Sequence, residues 1–122
     1  MPSPRTARLA QQLQQEIAMV IQQELKDPRM GFVTITRVEL SSDLAHAKVF
    51  YSCLGTPEER TQSDEALEHS VRFIHGLLKK RLRLKITPAI VFRYDDSIAA
   101  SIEMMQVLER LKDRPSQPED RP

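Results

Sequence analysis

The segment 72–85 is the part of the chain whose residue types and spacing suggest chemistry. It contains no acid and six basic residues, which are Arg72, Lys79, Lys80, Arg81, Arg83 and Lys85. Clustered Lys and Arg side chains bind anions, and the anion that best matches so extended a run of cations is a phosphate backbone. The formal net charge of the whole chain is only +1, so the local cluster carries this interpretation and the total does not.

The helical phase of these cations supports the same interpretation. At 100° per residue, Arg72, Lys79 and Arg83 fall in one narrow stripe opposite the apolar side chains of the segment. His75 and Gly76 flank the stripe. Gly76 either lets a ribose-phosphate chain approach closely or is a tolerated surface glycine, and we favour the second interpretation.

A solvated helix surface is the alternative to an anion-binding one. It predicts mixed charges, because like charges four residues apart destabilise a helix, yet Lys79 and Arg83 are such a pair. The acids Glu65 and Glu68 lie earlier in the same helix, so the two signs are separated. Cations near a helix C-terminus also complement its dipole, which explains part of the cluster without any ligand. We favour anion binding.

Arg81 does not follow this pattern, because its predicted angle points into the apolar side of the helix. Either the helix ends or bends near Lys80, or the Arg81 side chain extends outward past its apolar neighbours.

Catalytic constellations are not evident in the sequence. The three histidines, His46, His69 and His75, match no metal-ligand spacing, and Cys53 has no nucleophile signature around it. Three acids could hold Mg²⁺ in a nuclease, namely Asp43, Asp95 and Asp96. Turn formation and helix capping explain these acids better. We therefore expect no enzyme activity, no metal site and no cofactor.

The totals indicate one small domain in a reducing compartment. The chain has 122 residues, and its single cysteine cannot form an intrachain disulfide. No signal peptide or membrane-spanning run is evident, so we expect a cytoplasmic protein. Aromatic residues are few, with no Trp, so a sheet that stacks bases is not expected, and Phe50 is its only evident candidate.

Periodicity predicts the order helix, strand, strand, helix, strand, helix. The first helix spans 6–26 with Thr6 as its N-cap, and strands 32–40 and 45–53 form an antiparallel hairpin. A capping box at Thr56–Glu59 begins the long helix, or the helix begins at Ser63, and it continues to about Leu82. A strand at 90–94 and a helix at 98–112 follow.

The predicted fold is an α+β domain with helices on one face of a three-stranded sheet and a right-handed crossover between the second and third strands. We expect the last helix to bury Ile98, Ile102, Met105 and Leu108. The polar, proline-containing segment 113–122 predicts a disordered tail.

Several motifs together resemble the ribosome-binding factor A (RbfA) family. They are Asp27-Pro28-Arg29, Val33-Thr34-Ile35-Thr36-Arg37-Val38-Glu39-Leu40-Ser41-Ser42-Asp43-Leu44, Ala47-Lys48-Val49, Phe73-Ile74 with the basic helix end, Thr87-Pro88-Ala89-Ile90-Val91-Phe92 and Asp95-Asp96-Ser97-Ile98. The resemblance covers about residues 5 to 110.

The resemblance implies a KH-like type II domain, here 5–112, whose long helix is two helices joined at a kink. The family has an Ala-x-Gly motif at the kink, and this chain has Ser70-Val71-Arg72 there. Arg72, which stands where the glycine would be, is either a phosphate contact or simply exposed.

The resemblance also implies a role. Members bind free 30S ribosomal subunits late in maturation, support processing of 16S ribosomal RNA and help growth in the cold. From it we expect 30S subunits and 16S RNA as partners, no membrane, and a monomer. If the basic helix is not the RNA contact, Arg5 and Arg8 or the turn containing Arg29 are the other candidates. The rival hypothesis is a protein-interaction module that docks on a ribosomal protein without touching RNA.

Overall fold

The computed structural model describes residues 3–25 and 27–112, apart from the side chains of Ile98, Ala99 and Glu103. The elements in chain order are α1 (Pro4–Gln23), β1 (Val33–Leu40), β2 (His46–Cys53), α2 (Pro57–Leu82), β3 (Ala89–Tyr94) and α3 (Ile98–Lys112). This order confirms the predicted α+β arrangement. The predicted tail 113–122 lies outside the described residues, and the domain boundary at 112 stays a prediction.

The sheet has the strand order β1-β2-β3. β1 pairs with β2 antiparallel, which confirms the hairpin, and β2 pairs with β3 parallel. Parallel neighbours need a long crossover connection, and α2 supplies it. The β1–β2 register shifts between Ile35 and Arg37, which leaves Thr36 as the extra residue of a bulge. The Gln14 amide of α1 donates to the carbonyls of Ile35 and Thr36 at 3.4 Å and supports this irregular backbone.

One layer of helix side chains covers one face of the sheet. Residues recurring at helical spacing in α1 and α2 are buried against alternate residues of the strands. The cluster contains Leu13, Ile17, Val20, Ile21, Ile35, Val49, Tyr51, Leu67, Ile74, Leu78, Ile90 and Phe92. Val71 and Leu77 of α2 are partly buried against it. In the described part of the chain, no helix is both long and apolar enough to span a bilayer.

The start of α1 differs from the prediction. Ser3 is the N-cap and accepts a hydrogen bond from the Thr6 backbone N–H at 3.1 Å, so Thr6 as N-cap was wrong. Pro4, in the first helical turn, explains the earlier start, because proline suits a position whose N–H needs no helical partner.

α2 begins at the predicted capping box. The Thr56 side chain accepts from Glu59 N–H and the Glu59 carboxylate accepts from Thr56 N–H, so the alternative start at Ser63 was wrong. The helix then continues without a break to Leu82, so the division into two helices implied for 70–72 is not present. Val71 and Arg72 are compatible with helix where a glycine would weaken it. Ser70 Oγ donates to the Ala66 carbonyl at 2.9 Å, as helical serines commonly do.

The inner side of α3 was predicted wrongly. Among the described side chains of this helix, Ala100 and Met104 are buried, whereas Ile102, Met105 and Leu108 are exposed; the side chain of Ile98, also predicted to be buried, lies outside the described residues. Apolar residues occur on every side of this helix, so periodicity alone could not fix its phase. Its N-terminus does: Ser97 Oγ accepts from Ala100 N–H at 3.1 Å, and Asp95 accepts from Ser97 N–H at 3.0 Å.

Replacing Ile74 tests whether α2 is held by its burial. Ile74 is 0% exposed, so Ile74→Ala should lower the free energy of unfolding by about 2–5 kcal/mol through lost burial and a cavity. Ile86 is 59% exposed, so Ile86→Ala is the matched control and should change stability by less than about 0.5 kcal/mol. Urea unfolding of both variants measures the difference, and equal losses would contradict the assigned phase of α2.

Candidate nucleic-acid interface

The charges of α2 are segregated along its axis. Glu58 and Glu59 lie in its first turn, and Lys79, Lys80 and Arg81 lie in its last turn. Each group faces the end of the helix dipole that favours it, so the segregation costs the helix little. The result is a helix whose C-terminal half is cationic on its solvent side.

Four of the predicted contact residues share that solvent side. We call them the α2 cationic surface, which consists of Arg72, Lys79, Lys80 and Arg83. All four are exposed, and in the described part of the chain none of them forms an ion pair. Lys85 is exposed just beyond the helix. Lys79, Lys80 and Arg83 also have no acid three or four positions away, so their charge stays available to an external anion, whereas Arg72 has Glu68 four positions before it.

Arg81 belongs to the α1–α2 interface and not to this surface. Its guanidinium donates to Glu24 at 3.0 Å and lies 3.6 Å from a carboxylate oxygen of Glu16. That oxygen, Oε2, is buried and has no hydrogen bond of its own. The Arg81 side chain is 33% exposed and extends past its apolar neighbours to two acids of α1, which agrees with the second of the two alternatives given for its predicted angle. Neither a helix end nor a bend at Lys80 is needed.

Arg29 is also paired within the fold. It donates to the Asp27 carboxylate at 2.8 and 3.1 Å, and Glu65 lies 3.8 Å away. These bonds lower the pKa of Asp27 to about 2. Glu65 precedes Lys79 by fourteen residues, which is roughly 21 Å along α2. The structure therefore does not bring Arg29 to the α2 cationic surface.

Arg5 and Arg8 are exposed in the first two turns of α1. Arg8 lies eight residues before Glu16, where Arg81 docks, or roughly 12 Å along the helix. Cations at a helix N-terminus oppose the dipole, so these two arginines do not stabilise α1 through it. They form a location separate from the basic end of α2.

An open groove of about 530 Å³ separates α2 from β3. Arg72 and His69 line it from the helix, and Val91 lines it from the strand, which is an edge of the sheet. His75 of α2 lies with its Nε2 atom 3.3 Å from the carbonyl oxygen of Thr87, which precedes β3. Arg72 thus lines the groove and also belongs to the α2 cationic surface. The sequence analysis missed this groove, because it depends on how α2 is placed against β3.

Arg83 ends α2 in an unusual backbone conformation. It is the C-cap, with φ 48° and ψ 43° in the left-handed region. Glycine is the usual residue in this conformation at a helix end, because other L-residues pay a steric cost there. The helix thus ends with an exposed cation at a position where stability favours glycine.

Two of the three candidate catalytic acids, Asp43 and Asp95, have structural partners. Asp95 is buried and accepts from Thr36 Oγ1 at 2.7 Å, a bond that lowers the pKa of Asp95 to about 2. Asp43 accepts from Ser41 Oγ and from Ala45 N–H, as a turn residue does. Burial raises the pKa of the Cys53 thiol, which disfavours the nucleophilic thiolate. Among the described residues, no group of three His, Cys, Asp or Glu side chains could hold a metal ion.

Comparison with known proteins gives a consistent result. The family model described as Ribosome-binding factor A matches residues 5–108. A Ribosome-binding factor A from Desulfitobacterium hafniense is 45% identical over 112 residues, which cover 92% of this chain and 90% of the relative.

The chain belongs to the ribosome-binding factor A family.

A crystal structure and a fitted homology model of this family agree with the fold. The crystal structure of the factor from Thermus thermophilus has a TM-score of 0.65 and 29% identity, covering 73% of this chain and 93% of that chain. A homology model of the Thermus thermophilus factor, fitted into the cryo-EM map of a 30S–RbfA complex, has a TM-score of 0.61 and 30% identity. That alignment covers 72% of this chain and 92% of the other.

Replacing Arg81 tests whether it is structural. Arg81→Met should lower the free energy of unfolding by about 1–2 kcal/mol, because the buried oxygen of Glu16 loses its cation. Lys80→Met is the matched control, since Lys80 is exposed and adjacent, and its loss should stay below about 0.5 kcal/mol. Denaturant unfolding compares the two, and indistinguishable losses would show that the Arg81 pairs contribute no more than a surface charge.

Proposed function

We propose that this chain is a ribosome assembly factor that binds free 30S subunits in the cytoplasm and contacts 16S ribosomal RNA through the α2 cationic surface. In this role it assists late maturation of the subunit and processing of its RNA, with the largest effect expected in the cold, and it catalyses no reaction. Family membership and the related 30S–RbfA complex support the partner.

The observation that carries the RNA contact is the uncompensated charge on α2. Arg72, Lys79, Lys80 and Arg83 are exposed together, while the basic residue that breaks their stripe, Arg81, is turned toward α1 and neutralised. The like charges of Lys79 and Arg83 repel each other at four residues apart, and an anion bound to the surface would relieve that repulsion. A polyanion gains from such a surface by releasing its condensed counterions.

The rival function is docking on a ribosomal protein, and one observation favours it. Ile102, Met105, Leu108 and Leu111 of α3 are all exposed, which is a large apolar surface for so short a helix. Salt dependence separates the two contacts. If four phosphates are neutralised, log K should fall by roughly three to four units for each unit of log salt concentration. A nearly flat dependence would favour docking through α3.

Charge reversal tests the location of the RNA contact. The Lys79→Glu, Arg83→Glu double variant should weaken binding to free 30S subunits by two or more orders of magnitude, since two attractions to a polyanion become repulsions. The Arg110→Glu, Lys112→Glu variant is the control: both pairs lie at the C-terminal end of a helix, so charge change and dipole cost are matched. Sedimentation with purified subunits measures binding, and equal binding by both variants would place the RNA contact elsewhere, at Arg5 and Arg8 or at Arg29.

The conformation of Arg83 allows its charge and its backbone to be separated. Arg83→Gly should stabilise the fold by about 0.5–1 kcal/mol, because glycine adopts the left-handed conformation without strain. Arg83→Ala should not, since it keeps the strain. Both variants remove one cation, so both should weaken subunit binding equally and reduce the salt slope by roughly one unit. Unfolding and binding measured on the same samples check this, and unchanged binding by both variants would exclude Arg83 from the interface.

A further inference from the structure

The surroundings of Gly76 form a distinct feature of α2. On a helix surface, the neighbours of a residue are those three and four positions away. For Gly76 these neighbours are Arg72, Phe73, Lys79 and Lys80, and all four are exposed. Gly76 is therefore enclosed on the helix surface by three cations and one aromatic ring.

Neither the backbone nor the packing requires glycine at this position. Gly76 lies inside a regular helix without a positive φ, and a Cβ built on it would meet no atom within 4 Å. Glycine is among the poorest helix formers, so an exposed interior glycine weakens α2. What the missing side chain does provide is a shallow notch between its four neighbours.

Phe73 is the apolar wall of this notch. It is 48% exposed, in a helix whose other large apolar side chains are buried or half-buried. Phe32 is exposed to a similar extent, at 41%, but it lies before β1 and away from the basic end of α2. Aromatic rings beside a cationic track are the arrangement with which proteins stack unpaired bases while holding the flanking phosphates.

We propose that the notch at Gly76 takes one unpaired nucleotide of RNA: its base stacks on Phe73, and its phosphates lie over Gly76 against Arg72, Lys79 and Lys80. This inference rests on the proposed RNA contact and specifies the kind of RNA bound. A base inside a duplex is stacked between its neighbours and cannot present its face to Phe73. The α2 cationic surface then selects single-stranded RNA over duplex.

The test compares an unstructured RNA oligonucleotide with the same strand made abasic, which keeps the phosphates and removes the bases. Phe73→Leu should bind the intact strand about 5- to 100-fold more weakly and the abasic strand as the wild type does. The salt slope should not change, since no charge is removed. Phe32→Leu is the control and should leave both affinities unchanged.

Gly76→Gln provides a second variant that cannot fail by unfolding. Glutamine is a better helix former than glycine and its side chain meets open space, so the melting temperature should rise. Binding of the intact strand should nevertheless weaken, because the notch is filled. The chain contains no Trp, so Phe73→Trp gives a single reporter whose emission should be quenched by the intact strand and not by the abasic one.

Two results would overturn the proposal that the notch binds a nucleotide. If Phe73→Leu binds the intact strand like the wild type, or loses equally on both strands, no base stacks there. If in addition Lys79→Glu, Arg83→Glu binds RNA normally, the proposed RNA contact fails as well. If that double variant loses affinity while Phe73→Leu does not, the phosphate contact stands and only the notch is rejected.

Discussion

Burial of Leu67, Ile74 and Leu78 fixes the rotation of α2, and the rest of the surface chemistry depends on it. α2 is the crossover that joins the parallel strands β2 and β3, so it must lie across the sheet and present one apolar side to it. Once these three side chains are inside, the helical repeat leaves Arg72 and Lys79 no direction but outward. Rotating the helix to hide the cations would expose the core, at a cost of several kcal/mol. The cationic surface is thus enforced by packing, even though its own like charges oppose it.

The ion pairs separate structural arginines from available ones. Arg81 docks on Glu16 and Glu24 and ties the basic end of α2 to α1, while Arg29 is held by Asp27 and Glu65 at the other end of α2. Both arginines are neutralised, so neither adds to the external field. Because the acids that pair with Arg81 belong to α1, they hold the basic end of α2 in place and do not pair with its exposed cations. Fixing a charged surface in this way spares its ligand the entropy of ordering it.

The sequence predicted the order of the elements because strong local signals mark them: the capping box at Thr56, the alternation in each strand and the apolar repeat of α2. It failed where the outcome depends on tertiary partners. The phase of α3 is set by Asp95 and Ser97 contacts that reach back to Thr36, and no period in an all-round apolar helix reveals them. Arg29 and Arg81 were candidate RNA contacts by residue type, yet both are paired in the fold: Arg81 with Glu16 and Glu24 of α1, and Arg29 with the nearby Asp27 and with Glu65 of α2. Phe73 was visible only as part of a family motif, although its spacing from Gly76 was already present in the sequence.

Two positions at the basic end of α2 depart from the rules of helix stability, Gly76 beside the α2 cationic surface and Arg83 within it. Gly76 stands inside the helix, where alanine would be more stable, and Arg83 stands in the left-handed C-cap, where glycine would be. Sequences that specify a fold violate such local rules mainly where a ligand imposes a separate demand. The proposed RNA ligand would account for both departures together, because it needs open helix surface at Gly76 and a positive charge at Arg83, about two helical turns further along.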